Sequence, residues 1–500
     1  MNDIASKLFD KSGYISLKEY VADIGDMRKN GSWKLPLRMG DRLHLRFLSV
    51  VARFSWFSDA LFIMHPHIWS PAYSVILSYL RKNDLFDSVF EKDLRHSGYF
   101  SYFFKKNITR DGYVSAMTGQ GIAQDKATAF SKALGEMIER MISGLGDMNE
   151  SILIASPDEV LRKYRALYPP KHHRFLEIQK KKYPELRHNP SDSIEWVRGV
   201  DLIAKEEIYI PKQITSWFIG ARTPGEKFLN PTSNGCAGYF TKTGATLRGL
   251  FESIHRDAFL VHWLTMIVPR VIIEDSLPEE IRKRIQGFKS LGTSLYILDV
   301  TSLPIPSVYI VAINEESQVP RVVLSGASAL TFEKAISDAL VEMAMMISGL
   351  SYVNDEALTE DVSDTIEPFI SDFNKTTRQS YWRGKEKIRQ FQWFISGEKV
   401  SYDEVSKQDM VCDDNDSSRL RACLEALKKI GDDYCPIVYY PKNSIQEELG
   451  FYVAQVYIPK AFPLYLREYL GTFDSDRLQE FASSKGISEW TLNPFPHMFS

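Results

Sequence analysis

The chain has 500 residues, too many for one small core and enough for two or three compact units. Apolar residues make up 44% and charged residues 25%, as in a globular protein, and the formal charge of −3 excludes a global pull toward nucleic acid or anionic membrane. Four scattered cysteines without CxxC spacing argue against a zinc ribbon or a disulfide scaffold and suit a reducing cytoplasm. There is no signal-peptide pattern, and no run approaches the roughly 20 apolar residues of a membrane span.

Residues 1–105 read as a separate, mainly helical region of unknown role, aromatic and basic in parts, with helical spacing over about 41–62. His65-Pro66-His67 lacks a nearby Cys or acidic cluster and reads as a packed loop rather than a metal site. From 106 to 500 short β-rich runs alternate with helices. EWVRGVDL, EEIYIPKQI, SLYILDV, VYIVAI, RVVLSG, DYCPIVYYP and FYVAQVYIP are expected strands. The basic stretch 171–192 reads as a helix and an exposed loop, 354–372 as an acidic connector, and 493–500 as a Pro-rich tail.

Three stretches share one layout: TGQGIAQDKATAFSKALGEMIER (118–140), NPTSNGCAGYFTKTGATLRGLFESIHRDAF (230–259) and SGASALTFEKAISDALVEM (325–343). Each reads as a small-residue loop followed by a helix. Glu136, Glu252 and Glu342 lie 14 to 16 residues beyond Gly121, Gly238 and Gly326. Glu136 and Glu139 are three apart and share a helix face; Glu252 stands three before His255 and four before Arg256; Glu342 stands among Ala339, Leu340, Met343 and Ala344. In one helix alone, Glu and Arg at this spacing make a surface ion pair worth little. Threefold recurrence points further, because carboxylates gathered from separate helices need a cation between them. The loops 119–121 and 234–238 are expected to offer backbone N–H groups to phosphate. A P-loop, the joint HRD and DFG set of kinases, a GxSxG elbow and a GxGxxG fingerprint are all missing.

These blocks resemble the YcaO family, whose members bind ATP without a P-loop and use it to activate peptide backbone amides. KALGEMIER is similar to the family's first helix, SNGCAGYFTKTGATLRGLFESIHRDAF to its second block, and SGASALTFEKAISDALVEM to its third; the likeness runs from about 112 to 496. The resemblance implies a mixed α/β fold of repeated sheet–helix subdomains around a buried ATP site, with an N-terminal helical extension. It implies Mg²⁺ held by Glu136, Glu139, Glu252 and Glu342. Gln120, Lys132, Asn234 and Arg256 would lie at the nucleotide, Arg140 and Arg256 would act on the phosphates, and Pro496 would stand in a tail reaching the active site. Lys132, Gln120, Gly249, His255, Met345 and Met346 depart from the family pattern.

The implied reaction is cyclodehydration of Cys, Ser or Thr in a ribosomally made precursor peptide to thiazoline or oxazoline, as in the biosynthesis of thiazole/oxazole-modified bacteriocins and other antibiotics. A thioamide- or macroamidine-forming enzyme and a non-catalytic scaffold subunit are the alternatives. The partners implied are the precursor peptide, an E1-like or winged-helix leader-binding protein, a flavin-dependent dehydrogenase, and a second copy of the chain; neither nucleic acid nor membrane is expected.

Overall fold

In the computed structural model of the chain, β1 (Ser88–Leu94), β2 (Tyr99–Arg110) and β3 (Tyr113–Ala123) form an antiparallel meander, with Ser88 opposite Lys105 and Phe100 opposite Ala123. The structure describes residues 84–94, 99–110, 113–145, 152–215, 228–289, 292–314, 322–350, 367–372, 385–443 and 450–498, with a few single positions besides. Nearly all of the helix expected over 41–62, the His65-Pro66-His67 loop and most of the acidic connector lie outside the described residues. The chain divides into two units: Met1–Ser143, Ala237–Ala245 and Pro441–Val453 in the first, and Gly144–Cys236, Thr246–Tyr440 and Ala454–Ser500 in the second.

The first unit is built on the meander and helix α1 (Lys126–Leu145). Asp125 caps the helix, its Oδ1 accepting from Thr128 N at 2.8 Å. Phe130, Ala133, Leu134, Met137 and Ile138 recur at helical spacing and are buried. Phe130 meets Tyr102 and Phe104 of β2 edge-on, at 5.3 and 5.5 Å between ring centroids. Gly119 and Gly121 of β3 let α1 lie directly on the strand. A Cβ at Gly121 would stand 2.1 Å from Ala129 O, and one at Gly119 2.4 Å from Met137 N.

The second unit holds two larger sheets. In one, β4 (Leu153–Ala155), β6 (Ile194–Asp201), β14 (Ile437–Tyr439) and β15 (Tyr452–Tyr457) follow in that order, with β7 (Glu207–Pro211) also paired to β6; β8 (Cys236–Tyr239) falls almost wholly in the first unit. A small ladder joins β5 (His173–Arg174) to β16 (Asp474–Ser475). The other large sheet runs β12 (Val322–Ser328), β11 (Ser307–Ile313), β10 (Ser294–Asp299), β9 (Arg270–Ile272), β13 (Lys399–Val400). Every residue of β11 and β12 is buried, as a strand covered on both faces requires. On one face Tyr309, Val311, Ile313, Val322 and Leu324 join the core of helix α2 (Lys242–Thr265) around Phe259 and Trp263. Helix α3 (Glu279–Lys289) packs against β10 and against helix α4 (Phe332–Leu350), which lies on β11 and β12.

The expected strands from 194 to 328 are present, DYCPIVYYP shortens to β14 behind a 3₁₀ turn, and the fold is mixed α/β as expected. Among the described residues no helix is long and apolar enough to cross a membrane.

Candidate functional site

The structure corrects the reading of the three repeated blocks. Their small-residue segments are mostly strand, and only Asn234-Gly235 keeps the expected turn. Residues 119–121 lie in β3, 236–238 in β8, and 325–328 in β12, so each block is a strand leading into a helix. The residues are small because a helix or ring lies against the strand, not because the backbone turns around an anion. Each helix starts on a capping side chain: Asp125 for α1, Thr241 for α2 (Oγ1 accepting from Gly244 N, 3.0 Å) and Thr331 for α4 (Oγ1 accepting from Lys334 N, 3.2 Å).

In the first unit Glu136 and Arg140 form an ion pair at 2.5 Å. Both also reach the outer edge of β3. Gln120 N donates to Glu136 Oε2 at 2.6 Å, and Arg140 Nη1 donates to Thr118 O at 2.7 Å. The Gln120 side chain turns to Ser101 Oγ, 3.4 Å away. One turn along α1, Glu139 Oε2 accepts from Gly238 N at 2.7 Å, which joins the first block to the second. Phe451 closes this corner: a Cβ on Gly238 would lie 2.4 Å from its ring, and Phe240 meets it edge-on at 5.2 Å. Lys132 is exposed on α1.

In the second unit Arg256 lies 3.8 Å from Glu252 on α2. Asn234 stands just before Gly235, which has φ +75°. The buried Oδ1 of Asn234 has no hydrogen-bond partner among the described residues. Gly235 is wedged so that a Cβ would stand 2.2 Å from Val456 O. Gly249 of α2 faces the same turn, and a Cβ there would meet Gly235 O at 2.4 Å. The glycine that departs from the family pattern is thus required by close packing. His255 Nδ1 pairs with Phe251 O at 3.2 Å; burial first, and then the neighbouring Arg256 cation, hold its pKa well below the usual imidazole range. A neutral ring is therefore tolerated beside Arg256. Glu342 is exposed on α4. The apolar stripe of Ala335, Ile336, Ala339, Leu340 and Met343 faces the core, and Glu342 falls off it, so its neighbours in sequence do not bury it.

Residues that the sequence did not single out frame this helix. Asp257 is fully buried and accepts from Arg477 Nη2 (2.6 Å), Arg477 Nε (2.9 Å), Ser302 Oγ (2.9 Å) and Phe462 N (2.7 Å). The C-terminal segment caps the far end of α2, with Asn493 N donating to Leu264 O (2.9 Å) and Asn493 Nδ2 to Trp263 O (3.1 Å). Pro496 is buried and its carbonyl accepts from Trp382 Nε1 at 3.1 Å. His497 is buried against Tyr465 O at 2.8 Å. Its pKa is held well below the usual range by burial, then by Arg378, and also by the Arg256 charge.

Among the described residues no three His, Cys, Asp or Glu side chains form a group able to hold a metal ion by themselves. Mg²⁺ does not demand one, since it keeps several waters and phosphate oxygens and takes only one or two carboxylates. The orphaned Asn234 Oδ1 is an acceptor that a nucleotide amino or hydroxyl group would satisfy, so the donor and acceptor set fits ATP with Mg²⁺.

A heterocyclase solved with its substrate and cofactor is similar to the chain, with a TM-score of 0.66, 19% identity, and coverage of 83% of this chain and 55% of that one. A YcaO protein from Methanopyrus kandleri, solved with AMPPCP and Mg²⁺, gives a TM-score of 0.55 at 17% identity over 78% of this chain and 90% of that one. A chain of the E. coli microcin synthetase McbBCD complex, solved with pro-MccB17 bound, gives 0.51 at 15% identity over 82% and 96%. The chain thus spans little more than half the length of the first of these structures. No curated protein matches it. A family model described as YcaO cyclodehydratase, ATP- and Mg²⁺-binding, matches residues 118–461, which contain all three strand–helix blocks, and by that match the chain belongs to the YcaO family.

Proposed function

We propose that the chain is an ATP-dependent cyclodehydratase that converts Cys, Ser or Thr of a ribosomally made precursor peptide to thiazoline or oxazoline. The observation that carries this reading is the strand–helix unit that recurs three times within the matched span and presents Glu136 with Glu139, Glu252 and Glu342. Bound ATP with Mg²⁺ supplies the phosphoryl group that makes an amide oxygen a leaving group. In this reading the four glutamates would hold Mg²⁺ ions, one or two carboxylates to each, Arg140 and Arg256 would neutralise phosphate oxygens, and Gln120, Lys132 and Asn234 would line the nucleotide. His255, held neutral, leaves Arg256 as the cation of its turn. The tail around Pro496 fixes the end of α2 and with it the height of Arg256.

A separate leader-binding protein of E1-like or winged-helix type presents the peptide, a flavin-dependent dehydrogenase oxidises the ring, a second copy of the chain completes the assembly, and the work is done in the cytoplasm. The E. coli microcin synthetase McbBCD complex, which contains a chain of similar fold and was solved with pro-MccB17 bound, supports this arrangement.

Incubating the chain and its partners with ATP and a Cys/Ser/Thr-rich precursor tests the proposal by mass. Loss of one water per modified residue is expected. Exchange of oxygen for sulfur would indicate a thioamide-forming enzyme instead. No change, together with no heat on titration with Mg·ATP, would leave a scaffold. Glu136→Ala and Glu342→Ala should abolish the mass change in a chain that still folds.

A further inference from the structure

Between Thr246 and Thr265 every residue of α2 is buried except Arg248, Phe251, Glu252, His255 and Arg256. Glu252, His255 and Arg256 adjoin on one face, so the helix opens a carboxylate, an imidazole and a guanidinium side by side. The contact of Glu252 with Arg256, at 3.8 Å, is too long for a hydrogen bond. The His255 ring leans back over the preceding turn, where its Nδ1 meets Phe251 O at 3.2 Å, and the ring of the buried Tyr309 lies 6.1 Å from it. A carbonyl oxygen only accepts, so Nδ1 carries the proton and Nε2 keeps its lone pair. This is the tautomer of a metal-bound histidine, whose other ring nitrogen donates to a carbonyl or carboxylate. We propose that His255 Nε2 and the Glu252 carboxylate together bind the divalent ion that accompanies the nucleotide, and that this pair takes a first-row ion such as Mn²⁺ in preference to Mg²⁺; this rests on the ATP-binding reading above.

The chemistry of the two donors sets the preference. Mg²⁺ is hard and holds to oxygen, so an imidazole adds little to its binding, whereas first-row ions take nitrogen and oxygen together. Two protein ligands one turn apart suffice, since phosphate oxygens and water fill the remaining positions. Burial first, and then the Arg256 charge, keep the ring neutral, as a ligand must be. Arg256 restrains Glu252 loosely, whereas Arg140 holds Glu136 at 2.5 Å, so an ion meets less competition on α2 than on α1.

The test loads the full-length chain, its histidines labelled with ¹⁵N, with Mn²⁺ and AMPPCP and reads the bound ion by pulsed electron paramagnetic resonance. Wild type should show coupling to a directly bound histidine nitrogen, and His255→Gln and His255→Glu should both lose it. Calorimetry with Mn²⁺ and with Mg²⁺ should show the preference for Mn²⁺ falling about tenfold in either variant, the worth of one ligand, in chains that still unfold cooperatively on heating. No histidine coupling in a wild-type chain that holds Mn²⁺, coupling that survives the substitutions, or an unchanged preference would each overturn the proposal. A wild-type chain that binds AMPPCP with neither ion would overturn the ATP reading itself.

Discussion

Gly121→Ala probes the seam on which the first block depends. A Cβ at this position would lie 2.1 Å from Ala129 O and 2.2 Å from Ala133 N, both backbone atoms of α1. Neither can swing aside as a side-chain tip would. To reach an ordinary contact of 3.4 Å the helix must retreat by about 1.3 Å, the difference between 3.4 and 2.1. The face that would open holds Phe130, Ala133 and Leu134, all with no exposure. Overpacking of this kind costs about 3 kcal/mol, at the upper end of the usual range because both sides are main chain. The hydrogen bond from Gln120 N to Glu136, now 2.6 Å, crosses the same seam one residue away and would be lost. Urea unfolding reads the stability, and amide hydrogen exchange reads the Gln120 N–H, which should exchange faster. Gly287→Ala in α3 is the control. Among the described residues nothing lies within 4 Å of its Cβ, so the variant should gain about 0.5–1 kcal/mol from helix propensity. If Gly121→Ala unfolds within about 0.5 kcal/mol of wild type, the level of an ordinary surface change, the reasoning about this contact is wrong.

Asp257→Ala should lose about 3–5 kcal/mol, because Arg477 would remain buried without its counter-charge; an unfolding midpoint close to wild type would count against that role. His173 and His262 are buried, and burial lowers each pKa from 6.5 to about 4. The unfolded chain then takes up protons that the folded chain refuses. Their stabilisation is full above about pH 6.5 and is lost as the pH falls toward 4, by at most about 3 kcal/mol each. His262→Gln should flatten that part of the pH–stability curve. Cys236, Cys423 and Cys435 are buried and Cys412 is half-buried, so a small alkylating reagent should label Cys412 first in the folded chain, as peptide mass mapping would show.

Strand identity was legible where β-branched runs met turn residues. SLYILDV, VYIVAI and RVVLSG became β10, β11 and β12, because a strand covered on both faces leaves a continuous apolar run. The glutamate helices were legible from their apolar period. The small-residue segments before them were misread, since Gly and Ser mark turns in one chain and close helix-on-strand packing in another. Only the position of α1 over Gly119 and Gly121 separates the two meanings. Gly249 looked like a departure from the pattern until the Gly235 carbonyl was found against it. The Asp257–Arg477 pair joins residues 220 apart, and Tyr309 sits in a run that any reading of periodicity assigns to the core. Neither leaves a local trace, because both belong to contacts made only after distant segments meet.

The carboxylate of Glu136 is already occupied in the free protein: one oxygen takes the outward amide of β3 and the other takes Arg140. Together with the guanidinium held on Thr118 O, it occupies hydrogen-bonding groups that would otherwise invite a passing β-segment. Any cation that recruits Glu136 must draw it out of this embrace and leave the strand's margin bare. Affinity measured at this position therefore reports the difference between two liaisons, and weakening the resting one should tighten the other.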